Sequence, residues 1–180
     1  MTEYCVHVND KTPLFVQDYQ FPHHPERMYY NVDVSVINPY WTALLEAHNF
    51  FVARVDFFYG PPNSPYTHNI HLDHAPGDRA KLNWVFGGEG SVMHWYTVKK
   101  EKPKELLRTA GVKSSFHLFE SDEVEVAHSD TINNPSVVQA GVPHNVESPG
   151  AERWCYSLVV FDSRTKTNAK FDQLKKVFYP

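Results

Sequence analysis

The chain is predicted to be mainly β, an antiparallel sandwich or barrel-like roll with two flanking α-helices. Short runs rich in β-branched and aromatic residues recur between about residues 51 and 161, and Gly, Pro, Asn or Asp clusters punctuate most of them. Only two segments carry a helical period instead. A length of 180 residues with 42% hydrophobic and 14% aromatic content is ample for one core. The expected organisation is a single domain over residues 1–180, its core at about 51–161, with helices at about 39–48 and 165–178.

The opening segment, with Pro13, Pro22 and Pro25 beside His23 and His24, reads as irregular chain or edge strand, because proline donates no ladder hydrogen bond. Asn38-Pro39 starts the first helix, Asn as N-cap and Pro in the first turn. Trp41, Leu44, Leu45 and His48 follow at i, i+3, i+4 and i+7, a stripe suited to packing on the outside of a sheet. At Phe51 the period changes. The run to Tyr59 is β-rich, and Gly60-Pro61-Pro62-Asn63-Ser64-Pro65 breaks it. Further strands are expected at 68–73, 81–86, 91–98, 115–119, 123–128, 136–139, 144–147 and 153–161. Between them, Lys99, Lys100, Lys102, Lys104 and Arg108 cluster with Glu101 and Glu105. This run reads as a solvated helix or loop before a binding patch, with a mobile cover over the site as another role. Phe171, Leu174, Val177 and Phe178 share one helical face, so a terminal helix docks there.

Composition excludes several function classes. A net charge of −4 argues against a broad nucleic-acid-binding surface. No apolar run approaches the length that spans a bilayer, so no membrane partner is expected. Met1-Thr2-Glu3-Tyr4-Cys5 has neither the basic nor the apolar region of a signal peptide. Cys5 and Cys155 fit free thiols in a reducing compartment, with an N- to C-terminal bridge as the alternative. The expectation is a soluble, cytoplasmic protein.

The chemistry centres on His71-Leu72-Asp73. With 11 histidines in 180 residues, one such tripeptide is close to a chance expectation, so the inference rests on a wider constellation. In a strand, positions i and i+2 share a face, so His71 and Asp73 converge while His68, Leu72 and His74 point away. His144 enters a strand after the turn at Gly141-Val142-Pro143. Arg153 opens the most convincing strand, and Ser148-Pro149-Gly150 is expected to fold the two into a hairpin that brings Arg153 beside His144. An inward arginine there needs an anionic partner: a bound carboxylate, or Glu147 or Glu152 if it lies at the surface. Two imidazoles and a carboxylate are the ligand set of a non-haem Fe(II) site with open positions. The planar guanidinium suits a carboxylate co-substrate.

Here the chain resembles the 2-oxoglutarate/Fe(II)-dependent oxygenases, and among them the prolyl and aspartyl/asparaginyl hydroxylase-like members. The likeness covers about Phe51 to Phe161. It runs through His71-Leu72-Asp73, Ala80-Lys81-Leu82-Asn83-Trp84, Met93-His94-Trp95-Tyr96 and Gly141-Val142-Pro143-His144-Asn145-Val146, with Arg153. It implies a double-stranded β-helix (jelly-roll) core with flanking helices, Fe(II) on His71, Asp73 and His144, and Arg153 holding the distal carboxylate of 2-oxoglutarate. Asn83 looks like the family's polar residue on the next strand, with a supporting or co-substrate role; an ordinary buried amide is the alternative. Many relatives place a serine two residues after the arginine, where this chain has Cys155; Ser157 lies further along the same face. Tyr59, Trp95 and Tyr96 are expected in the core and barrel wall. The implied reaction couples oxidative decarboxylation of 2-oxoglutarate by O2 to hydroxylation of a protein or peptide side chain or a small metabolite, with no catalytic side chain beyond the metal ligands. The alternatives are a cupin-like metal protein using His68, His71 and His74, and a non-catalytic β-roll used for binding.

Overall fold

The computed structural model describes residues 4–17, 19–20, 29–73, 77–99, 106–108, 115–132 and 135–179. His23, His24, His74 and residues 100–105 lie outside them. In chain order the elements are β1 (Cys5–His7), β2 (Tyr29–Val32), α1 (Pro39–Ala47), β3 (Phe50–Gly60), β4 (Tyr66–Thr67), β5 (His71–Asp73), β6 (Ala80–Gly87), β7 (Val92–Val98), β8 (Leu106–Arg108), β9 (Ser115–Leu118), β10 (Val124–Asp130), β11 (Ser136–Gln139), β12 (His144–Ser148), β13 (Arg153–Asp162) and α2 (Phe171–Phe178). The chain is thus mainly β, with two α-helices among the described residues. All strands pair antiparallel. One six-stranded sheet runs β1-β11-β6-β13-β3-β2; a seven-stranded sheet runs β10-β7-β12-β5-β9-β8, with β4 beside β12.

Strand β13 explains the layering. Its even positions, Tyr156, Leu158 and Val160, join Leu82 and Trp84 of β6 and Val55 and Phe57 of β3 in a core covered by both helices. Helix α1 contributes Trp41 and Leu45, and α2 contributes Phe171 and Leu174. Asn38 caps α1 through the Tyr40 amide at 3.0 Å, and Trp41 meets Trp84 edge-on at 4.8 Å. Tyr59 belongs to this core, with its hydroxyl donating to Glu152 at 2.8 Å. The odd positions of β13, Arg153, Cys155, Ser157 and Val159, look instead onto a cavity between the sheets. A strand covered on both faces reads as a continuous apolar run, which is how 153–161 reads. A second core, including Val85, Met93, Trp95 and Val138, packs at one flank of that cavity.

Three expectations are corrected. Strands β12 and β13 do not form a hairpin: β13 has both edges occupied by β3 and β6, while β12 pairs with β7, β5 and β4 in the opposite sheet. The Ser148-Pro149-Gly150 turn is a corner between sheets, with Gly150 at φ 99° where a side chain would be strained. The terminal helix starts at Phe171, not near 165. Asp162 captures the amides of Arg164 and Thr165, Lys166 takes φ 58°, and Asn168 bridges back to Phe161, so 162–168 is a turn and bridge. The charged run ends in strand β8, paired with β9, where a helix or loop was expected. Cys5 and Cys155 are separate thiols. Among the described residues, no helix is long and apolar enough to cross a membrane.

Candidate metal centre

Register delivers the triad. His71 of β5 lies directly opposite His144 of β12, which sets their rings 4.5 Å apart. Asp73 follows at i+2 on the same face, while Leu72 between them is 2% exposed on the other. One ligand atom from each of His71, Asp73 and His144 lies within 4.8 Å of the others, a spacing that one cation bridges. Each imidazole is turned by its own backbone. His71 Nδ1 bonds Asn69 O at 2.8 Å, and His144 Nδ1 bonds Val142 O at 2.9 Å. With Nδ1–H donating, Nε2 keeps its lone pair and faces the cluster, the arrangement found for metal-bound histidines.

The segment entering β12 is held by close packing. A Cβ on Gly141 would overlap the carbonyl oxygen of Gly77, so only glycine fits. Gln139 Oε1 accepts from the amides of Arg79 at 3.1 Å and Gly141 at 3.2 Å. These contacts fix where Pro143 hands over to His144.

The triad opens on a cavity of about 650 Å³. Strand register orders its other wall: Ser157 lies opposite Asn83 and Asp56, and Val159 lies opposite Lys81 and Arg54. Asn83, Ser157 and Arg153 are 8%, 2% and 6% exposed and all line the cavity. Arg153 pairs with neither Glu147 nor Glu152; among the described residues it makes no carboxylate ion pair, and its Nε lacks a hydrogen-bond partner. Asn83 Oδ1 is likewise buried and unpartnered. Orphaned buried polar atoms are rare and point to a ligand or water.

Lys81, Asp56 and Arg54 were not singled out as site residues from sequence. Lys81 Nζ sits 2.6 Å from Asp73 Oδ2 and 3.9 Å from Asp56 Oδ2. The other Asp73 oxygen faces His71 Nε2 at 3.7 Å, so the carboxylate divides between ammonium and triad. Burial alone would raise Asp73, but Lys81, His144 and His71 together hold it well below the usual carboxylate range. Burial would lower Lys81, and Asp73 and Asp56 outweigh it and raise it. Asp56 in turn accepts from Arg54 at 2.6 Å, Asn31 at 2.8 Å and Tyr29 at 3.2 Å. A lysine and an aspartate inside otherwise apolar strands were the available signal, since buried charges need partners.

His68 corrects the parity argument. Residues 68–70 are not strand, so alternation does not carry past His71, and His68 lines the same cavity. His68 and His144 are both pushed down from 6.5 to about 4, by burial first and then by His71. Both stay neutral in the folded chain while the unfolded chain binds their protons near pH 6.5. Stability of the metal-free protein is therefore expected to fall as pH drops from 6.5 toward 4. Urea midpoints across that window check this, and a flat profile refutes it.

No protein-family model matches this chain, and neither a curated protein nor a solved structure does.

Proposed function

We propose that the chain is a non-haem Fe(II) oxygenase coupling oxidative decarboxylation of 2-oxoglutarate to hydroxylation of a protein or peptide side chain or a small metabolite. Two antiparallel sheets facing across a cavity, with helices against one outer face, support the jelly-roll (double-stranded β-helix) reading that accompanies it. One observation carries the proposal: a cluster of two histidines and one aspartate shares its cavity with a buried arginine that has no carboxylate partner among the described residues. Fe(II), 2-oxoglutarate and O2, when bound, would supply the oxidising chemistry.

The chain's own residues bind and orient. His71, Asp73 and His144 would hold the metal from one side and leave its other positions open. Arg153 would take the distal carboxylate in its planar fork. Asn83 and Ser157, opposite each other in register, add polar groups to the wall, and the Cys155 thiol stands where a hydroxyl was expected. Phe58, Met93 and Val146 line the same space with apolar surface. A cytoplasmic setting fits two cysteines that remain thiols.

Fe(II) and 2-oxoglutarate added under nitrogen should produce a charge-transfer absorption, and O2 should then release succinate. Arg153→Ala should weaken 2-oxoglutarate binding about 10- to 100-fold, as expected from about 1.5–3 kcal/mol for charge-assisted hydrogen bonds. Arg153→Lys should recover part of it. A wild-type protein that binds iron without the absorption contradicts the proposal. His68 in the same cavity favours a second reading, a cupin-like metal protein. That reading expects metal binding without succinate release, indifferent to Arg153.

A further inference from the structure

A second donor cluster lies away from the cavity. Cys5, His7 and Asp130 bring a thiol, an imidazole and a carboxylate within 4.8 Å of one another. Topology explains the meeting. Cys5 and His7 stand at i and i+2 of β1, and His128 and Asp130 at i and i+2 of β10, so each pair shares a face. Strand β1 edges the six-stranded sheet and β10 the seven-stranded one. The two pairs meet at the seam between the sheets.

The ring orientations suit ligation. His7 Nδ1 is tied to Ser136 Oγ at 3.0 Å, which turns Nε2 toward Asp130 Oδ2 at 3.1 Å. His128 Nε2 stands 3.8 Å from the same oxygen. That nitrogen is buried and has no hydrogen-bond partner. The His128 ring stacks on Tyr4 at 5.9 Å and leans on Trp95 at 5.6 Å. An orphaned, oriented imidazole nitrogen beside a carboxylate is an observation that hydrogen bonding within the cluster leaves unexplained.

We propose that Cys5, His7, His128 and Asp130 form a second metal site, a four-coordinate zinc site that clips the N-terminal strand to β10. A mixed sulfur, nitrogen and oxygen donor set selects zinc over the harder calcium or magnesium. Cys5, His7 and Asp130 supply three donors already grouped, and His128, 3.8 Å from Asp130 but outside that group, completes the sphere on metal binding, so the role is structural rather than catalytic. Zinc binds the thiolate, so its capture sends the Cys5 proton to solvent. The site is independent of the iron reading, since the clusters share no residue.

Cobalt(II) titrated into the metal-free full chain tests it. Expected is a thiolate-to-cobalt charge-transfer band in the near ultraviolet, retained in His144→Ala and lost in Cys5→Ser. Zinc should raise the melting temperature of both wild type and His144→Ala, and the rise in His144→Ala should vanish when Asp130→Asn is added to it. Should Cys5→Ser fail to fold, His128→Gln decides: it must weaken cobalt affinity at least about tenfold, the scale of losing a supporting interaction at a metal site. Cobalt binding without a thiolate band, a band that survives Cys5→Ser, or an unchanged affinity in His128→Gln overturns the proposal. The cluster is then a hydrogen-bonded clasp between His7 and Asp130.

Discussion

His144→Ala is expected to lower Fe(II) affinity by more than about 100-fold and to abolish the anaerobic absorption with 2-oxoglutarate. Losing an outer partner of a metal ligand costs about 10- to 100-fold, and removing one of three ligands costs more. Register sets the position of His144. His144 sits opposite both His71 and Trp95, and its neighbour Asn145 is engaged by the Tyr96 hydroxyl at 3.0 Å. Iron content after anaerobic loading and gel filtration reads the result, with the melting temperature of the metal-free variant as a folding control. Affinity retained within tenfold of wild type would remove His144 from the ligand set.

Lys81→Met is expected to destabilise the metal-free protein by about 3–5 kcal/mol, the scale for breaking a buried ion pair from one side. Lys81 is the cation nearest Asp73, at 2.6 Å, and their side chains are 19% and 13% exposed, so solvent screens the pair little. Asp56 keeps its two bonds to Arg54 after the substitution, whereas Asp73 loses its ammonium. A divalent cation on the triad would restore a positive charge beside Asp73. Zinc or Fe(II) should therefore stabilise Lys81→Met more than wild type in urea melts. A loss below about 1 kcal/mol, or equal metal stabilisation of both proteins, would show that Lys81 does not balance Asp73.

Much of the site was legible because its signal is local. Alternation puts His71 and Asp73 on one face and Leu72 on the other, and the structure keeps that division. Arg153 at the head of an apolar strand left two readings open, an inward guanidinium or a surface pair with Glu147 or Glu152, and it is buried in the cavity. The hairpin between β12 and β13 failed for a reason that no local pattern holds. A strand has two edges, and β3 and β6 outcompete β12 for those of β13. Arg153 and His144 still share a cavity, but by facing across it from opposite sheets. His68 was misassigned because parity was extended beyond the strand that justifies it. Cys5 and His7 gave no metal signal, since their companions lie more than a hundred residues away.

Residue order alone decides the period-two runs, the Asn38-Pro39 helix start and the shared face of His71 and Asp73, because each depends on neighbours a few bonds apart. Long-range competition decides the rest: which edges pair, which charges meet when buried, and which donors converge. Lys81 shows the distinction. Its place in an apolar strand announces that it needs a partner. That the partner is Asp73, with one oxygen left for the histidines, follows only once two sheets close on one another and shut out the water that would have solvated both charges.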